Sequence, residues 1–187
     1  MLLNAYSQGI FPMAQPDGAI YWYDPDPRAI LPLDSFHVPR SLPRRIRRGG
    51  FDVRVDTAFQ AVITACAEPG TGRETTWISS EIIEAYGELH KLGFAHSVEI
   101  WIGDDLAGGL YGVTLGGLFA GESMFSRVTD ASKIALVYLV RRLIRQRFVL
   151  LDVQFMTAHL RRFGAVEIPR YEYQHYLEGA LQIWTRF

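Results

Sequence analysis

The sequence predicts an α+β fold, a mixed sheet flanked by helices with a short N-terminal appendage, on three observations. Three strand-like segments, 97–103, 106–115 and 118–125, follow one another across tight turns. A helical stretch, 131–146, and a further strand, 148–155, come next, the pattern of a crossover that returns the chain to the same sheet. Residues 1–28 are crowded with turn formers and aromatics (Gly9, Pro12, Pro16, Gly18, Tyr21, Trp22, Tyr23, Pro25, Pro27) and cannot hold a core of their own. The chain therefore divides into an appendage, 1–28, packed on a main domain, 29–187.

After Arg28 the patterns become regular. Ser41 stands where it can cap a short helix with Pro43 in its first turn. Arg44, Arg47 and Arg48 would then share one face. Residues 51–56 alternate Phe, Val, Val with Asp, Arg, Asp, as a half-buried strand does. Thr57 opens a helix to about Ala67, and 68–72 is a loop. Ser79 or Ser80 caps a helix carrying Ile82, Ile83, Tyr86 and Leu89, which stops at Gly93. Gly103-Asp104-Asp105 reads as a hairpin turn. In the strand 106–115, Gly108-Gly109 marks a bulge or a close backbone approach. Asp130 caps the helix 131–146. After the strand 148–155 come a short helix from Thr157 ended by Gly164, a strand at 165–168 and a final helix, 171–184. No internal repeat is visible.

Composition narrows the class. The 187 residues are 49% hydrophobic and 21% charged, as in ordinary soluble domains. No apolar run reaches ~18 residues, so no membrane span is expected, and no secretory signal opens the chain. The single cysteine excludes an internal disulfide and fits a reducing compartment. That residue, Cys66, repeats at helical spacing with Phe59, Val62 and Ile63 and reads as core. The five histidines (His37, His90, His96, His159, His175) lack metal-motif spacing and read as structural, so no metal is expected.

A net charge of −1 argues against bulk nucleic-acid binding. Its distribution argues for a local patch. From Ser35 to Phe51 no residue is acidic, and Arg40, Arg44, Arg45, Arg47 and Arg48 fall within nine positions. An all-arginine run of this kind is a phosphate-binding candidate. Arg141, Arg142, Arg145 and Arg147 form a second cluster on a later helix.

The candidate chemistry lies where polar residues interrupt apolar strands. Leu118-Phe119-Ala120 runs straight into Gly121-Glu122, and Asp152 and Gln154 sit within the strand 148–155. Side chains two apart on a strand share a face, and burying such groups is costly without partners or a task. Three groups on two strands point to a site.

The element order resembles that of the acetyltransferase (GNAT) superfamily. An ordinary member holds an acyl-CoA pyrophosphate on a loop of the form [QR]-x-x-G-x-[GA] at a helix N-terminus. Here the corresponding turn, 126–133, has no glycine, and Asp130 would repel a pyrophosphate. An acyl-CoA-dependent N-acyltransferase is therefore the weaker alternative. A noncatalytic RNA-binding protein using the arginine patch would leave Glu122, Asp152 and Gln154 unexplained.

A closer resemblance is carried by Ala5-Tyr6-x-x-Gly9-Ile10-Phe11-Pro12, Trp22-x-x-Pro25-Asp26-Pro27-Arg28, Thr76-Trp77-Ile78, Ala85-Tyr86-x-x-Leu89-His90, Ala95-His96-Ser97-Val98-Glu99, Gly108 to Val113, Gly121 to Ser126, Ala131-Ser132-Lys133 and Asp152-Val153-Gln154. In this order they resemble the bacterial leucyl/phenylalanyl-tRNA–protein transferases, over nearly the whole chain. The resemblance implies transfer of leucine or phenylalanine (methionine is a third candidate donor) from tRNA to the N-terminal Lys or Arg of a protein, a mark for degradation by the N-degron pathway. It implies the acetyltransferase-like fold without coenzyme A or any other cofactor, and a cytoplasmic monomer.

It also assigns residues. Asp152, acting through Gln154, matches the family's proton-handling pair and Glu122 its active-site glutamate; Gln154 would alternatively orient the ester carbonyl or stabilise the oxyanion. Tyr86, Leu110, Phe119, Met124, Leu139 and Leu143 match the aminoacyl pocket. Trp77 matches the aromatic that stacks on the terminal adenine, an interaction worth ~1–3 kcal/mol per base. Arg40, Arg44, Arg47 and Arg48 match the tRNA-binding patch. Two departures stand out. Met13 replaces the tryptophan that commonly follows Phe-Pro in the adenine site, and the chain starts well inside the family's usual N-terminal domain, which is either truncated or continued upstream.

Overall fold

The computed structural model describes residues 1–69 and 76–187; of the expected loop at 68–72, residues 70–72 lie outside them. The elements run α1 (Leu2–Tyr6), β1 (Phe11–Ala14), β2 (Ile20–Tyr23), β3 (Arg28–Ile30), α2 (Ser41–Arg48), β4 (Asp52–Val55), α3 (Phe59–Ala67), α4 (Ser80–Lys91) and β5 (Ala95–Ile102). They continue with β6 (Asp105–Leu115), β7 (Leu118–Ser126), α5 (Ala131–Arg145), β8 (Leu150–Gln154), α6 (Ala158–Arg161), β9 (Val166–Ile168) and α7 (Arg170–Leu181).

Seven strands form one mixed sheet in the order β4-β5-β6-β7-β8-β3-β9. The meander β5–β7 is antiparallel, and α5 returns the chain so that β8 pairs parallel with β7. Alternation along the strands sorts the core into two layers. Leu118, Ala120 and Leu150 belong to the cluster with α3, α4 and α7 residues, whereas Phe119 and Leu151 belong to the one with α5.

One strand in the sheet escapes the sequence. β3 spans only Arg28-Ala29-Ile30, too short for a period-two signal, and slots between β8 and β9. The appendage contributes α1 and the separate hairpin β1–β2, and its Tyr6, Phe11 and Ala14 join the main core.

Two expected caps differ. Ser41 is already helical behind Arg40 and makes no cap hydrogen bond. Asp130 sits in the left-handed region (φ 69°) rather than the extended conformation a capping side chain needs. Its carboxylate pairs instead with Lys133 at 2.6 Å, and Ser126 Oγ accepts from the Ser132 N–H at 2.9 Å. The Ser79 cap on α4 forms as expected.

Gly108 marks a close approach, since a Cβ there would stand 2.6 Å from the Ala131 Cβ at the start of α5. The β5–β6 register shifts next to it, between Ile100 and Trp101. A second shift, in β6–β7 between Tyr111 and Gly112, has no local residue pattern to mark it.

Candidate active site

β7 and β8 pair only from Leu118↔Leu150 to Ala120↔Asp152. Beyond that point β7 runs on to Ser126 and β8 to Gln154 without pairing each other. A cavity of about 570 Å³ opens between the parted strands. Leu110, Met124, Leu136, Leu139, Leu151, Val153 and Leu160 supply apolar wall, and Glu122 and Gln154 supply polar groups.

Glu122 owes its place to the β6–β7 irregularity. Gly112 pairs with Gly121 and Tyr111 with Ser123, so Glu122 is the extra residue of a β-bulge. Bulges turn side chains out of the strand's normal alternation. The carboxylate is buried, and it accepts hydrogen bonds from Tyr6 Oη (2.7 Å), Gln154 Nε2 (3.0 Å) and Tyr86 Oη (3.3 Å). The two tyrosine hydroxyls also hydrogen-bond each other. Burial pushes the Glu122 carboxyl up to about 7; the Tyr6 bond opposes the shift and the nearby Asp152 charge adds to it.

Asp152 is held differently. Its Oδ1 accepts from Arg28 Nε at 3.0 Å and from the Gln154 backbone N–H at 2.9 Å. Its Oδ2 accepts from Arg28 Nη2 at 2.6 Å and from Tyr173 Oη at 2.9 Å. Four donors occupy its lone pairs. Arg28 is 1% exposed, sandwiched between the Phe11 and Tyr173 rings, with Nη1 on the Gly9 carbonyl. Burial works against its charge, but Asp152 outweighs it and the guanidinium holds its proton more tightly than usual.

The link between Asp152 and Gln154 is therefore through the backbone. The Gln154 side chain turns to Glu122, not to Asp152, and Gln154 itself adopts a left-handed φ of 65°. A bulky residue in that region is strained, and the Asp152 oxygen on its N–H helps hold it there. The side-chain relay expected between the pair is replaced by a chain running Arg28–Asp152–Gln154–Glu122.

Of the six residues matched to the aminoacyl pocket, Leu110, Met124 and Leu139 line the cavity. Tyr86 is absent from the cavity wall and stands behind Glu122, donating its hydroxyl to the carboxylate. Phe119 and Leu143 are fully buried in the α5-side core, with the Phe119 ring 5.3 Å from that of Phe187. Leu136, one turn before Leu139, and Val153, between the two polar residues of β8, take wall positions that the sequence reading overlooked. Their α5 spacing and strand alternation were the available signals. Trp77 and Met13 both line the cavity, held together by a bond from the Ala14 N–H to the Trp77 carbonyl at 3.0 Å.

Arg40, Arg44, Arg47 and Arg48 are exposed on and before α2, away from the cavity wall. Arg45 folds back onto Gly49 and the Phe51 ring. Among the histidines, His90 and His96 are tied to Ala95 and Asp56. His159, read as structural, lies in the cavity wall, and among the described residues its Nε2 has no partner. Among the described residues no three His, Cys, Asp or Glu side chains group as metal ligands.

A mixed sheet whose parallel strands part over a buried carboxylate and an apolar cavity defines an acetyltransferase-like fold with a candidate active site. A solved structure of L-PGS from Bacillus licheniformis shares the fold, with a TM-score of 0.52 at 11% identity over 89% of this chain; the chain spans 62% of that one. The sequence comparisons are more specific. The leucyl/phenylalanyl-tRNA protein transferase family matches residues 30–178, and the N-terminal domain of the same transferases matches residues 1–26. The Leucyl/phenylalanyl-tRNA--protein transferase of Phenylobacterium zucineum (strain HLK1) is 57% identical over 96% of this chain and 82% of its own length. That of Herpetosiphon aurantiacus is 58% identical over 100% of this chain and 96% of its own. The chain belongs to the leucyl/phenylalanyl-tRNA protein transferase family.

Proposed function

We propose that the chain moves leucine or phenylalanine from its tRNA onto the N-terminal Lys or Arg of an acceptor protein, tagging that protein for degradation. The observation that carries the mechanism is Glu122, a buried, bulged carboxylate whose pKa burial pushes up to about 7, set beside an apolar cavity that Trp77 and Met13 also line.

The donor's leucine or phenylalanine side chain fits the wall of Leu110, Met124, Leu136, Leu139 and Val153. Trp77 and Met13 take the terminal adenosine, and the α2 arginines take the tRNA body. The ester is already activated, so no ATP and no covalent enzyme intermediate is needed. Placing the acceptor amine against the carbonyl supplies up to roughly 7–11 kcal/mol of the barrier. The amine nitrogen bonds to the carbonyl carbon, the ester C–O bond breaks, and the ribose hydroxyl leaves carrying a proton. Glu122 takes the proton that the attacking amine gives up, because a base near pKa 7 is half ionised at neutral pH. Gln154 fixes the carboxylate and lies beside the reacting centre, while Asp152 positions Gln154 and is itself held by Arg28.

Among the described residues no helix is long and apolar enough to cross a membrane. The setting in this reading is the cytoplasm, where charged tRNA is found, and the working form is a monomer. The test is labelled Phe-tRNA with a peptide beginning in Lys or Arg, without coenzyme A. Labelled peptide supports the reading. Transfer that requires acyl-CoA, or binding of tRNA with no transfer, overturns it.

A further inference from the structure

A further basic feature lies beside the cavity, apart from the α2 patch. Between Asp152 and Glu167 the chain has no acidic residue, and Arg161 and Arg162 lie together at the end of α6. Both are exposed, and among the described residues neither guanidinium has an acidic partner. They line a groove of about 450 Å³ with Met156, Thr157 and Ala158.

Its place in the fold gives this groove meaning. Thr157 belongs to the groove and to the wall of the donor cavity, which also takes in His159 and Leu160. Arg162 is near enough to His159 to join burial and Lys133 in holding that imidazole's pKa below its usual value. On the other side, the next residue, Phe163, stacks on Phe36 with centroids 5.7 Å apart, and its carbonyl accepts from the His37 N–H at 3.0 Å. His37 leads within three residues to Arg40 and α2. Arg161 and Arg162 thus lie between the cavity wall and the segment that leads into α2.

We propose that the Arg161–Arg162 groove binds phosphodiesters of the single-stranded 3′ end of the donor tRNA. This rests on the functional reading above and extends it. A tRNA whose terminal ester enters the cavity and whose body lies on α2 must run its unpaired 3′ strand across the surface between them. That strand carries a negative charge at every nucleotide, and Arg presents a planar fork matched to phosphate. The guanidinium pair, not the short helix end, supplies the attraction.

The test compares Arg161→Ala/Arg162→Ala with the wild type on three probes: Phe-tRNA, a phenylalanylated CCA trinucleotide, and phenylalanyl-adenosine, which has no phosphate. Two neutralised single-strand phosphates contribute a slope of about −1.4 in log K against log salt, equivalent to roughly tenfold in affinity near 0.15 M. The variant is expected to bind Phe-tRNA and the trinucleotide about tenfold more weakly at that salt, with the slope reduced by about 1.4. Phenylalanyl-adenosine binding, kcat at saturating tRNA and melting temperature should hold. The Arg161→Lys/Arg162→Lys variant should recover most of the salt slope. An unchanged slope for both phosphate-bearing probes overturns the inference while leaving the transferase reading intact. Equal loss for phenylalanyl-adenosine overturns it as a cavity defect. A wild type that neither binds nor uses Phe-tRNA sinks both.

Discussion

As the base of the proposed reaction, Glu122 links catalysis to stability with opposite signs. Its folded pKa of about 7 lies above the ordinary 4.5, so the folded protein keeps a proton that the unfolded chain releases. Stability therefore falls as pH rises from about 4.5 to 7, by on the order of 3 kcal/mol for a shift of this size. The proposed reaction uses the ionised form, so activity should rise over the upper part of the same window. Glu122→Gln is expected to lower transfer by ~10²–10⁴-fold, to flatten the pH–rate profile, and to leave Phe-tRNA affinity nearly unchanged. Its melting temperature should gain on the wild type between pH 5 and pH 8. A gap that stays constant with pH would show that burying this carboxylate carries no cost. Asp152 behaves otherwise. Considered as sequence, Asp152→Asn looks conservative, because shape and hydrogen-bonding capacity are kept. In the fold it strips a buried arginine of its counter-charge, and breaking such a pair costs about 3–5 kcal/mol. Its rate loss should therefore come with early melting. Tyr173→Phe removes only one of four donors to Asp152, and should cost about 1.5–3 kcal/mol while lowering kcat less than Gln154→Ala does. A larger kcat loss from Tyr173→Phe than from Gln154→Ala would contradict this order.

The elements separate what was legible in the sequence from what was not. The meander and α5 were legible because each has a sustained period and marked turns, and the helix 131–146 differs from α5 by one residue at its end. Glu122 and Gln154 were legible as polar interruptions of apolar strands. The bulge that re-aims Glu122 was not, because a register shift is a relation between two strands. Arg28 and Tyr173 were missed for a similar reason: they lie 124 and 21 residues from the Asp152 they hold. The family match placed six residues in the aminoacyl pocket without separating wall from core, since Leu139 and Leu143 share one apolar helix face. Their difference can be measured. Leu139→Trp, in the cavity wall, should shift discrimination against phenylalanine relative to leucine by ~1–3 kcal/mol. Leu143→Trp, in the close-packed core, should instead destabilise by about 1–3 kcal/mol and treat both donors alike. On α2, Arg47→Ala with Arg48→Ala should weaken Leu- and Phe-tRNA equally, with a salt slope smaller by about 0.9 for each duplex phosphate left unneutralised. Unaltered affinity at low salt would remove α2 from the tRNA site.

At the scale of the molecule, residues 1–28 are wired into the candidate active site. Tyr6 reaches Glu122, Met13 lines the cavity, and Arg28 opens β3 while neutralising Asp152. Gly9 sits at the joint. Its carbonyl accepts from Arg28 Nη1, its φ is +78°, and a Cβ there would stand 2.8 Å from the Tyr173 ring. Gly18, in the turn of the hairpin, has a similar φ of +86° but faces open space. The two glycines form a matched pair. Alanine at either carries the left-handed backbone penalty of about 1–2 kcal/mol. Only Gly9→Ala must also move Tyr173, and with it the hydrogen bonds that hold Asp152 and Gln154. Gly9→Ala should therefore lower kcat for transfer as well as the melting temperature, although Gly9 lies outside the cavity wall. Gly18→Ala should lower the melting temperature alone. If both variants lose stability by the same amount and keep full kcat, the appendage is only a support, and the path from Gly9 through Tyr173 to Gln154 carries no catalytic consequence.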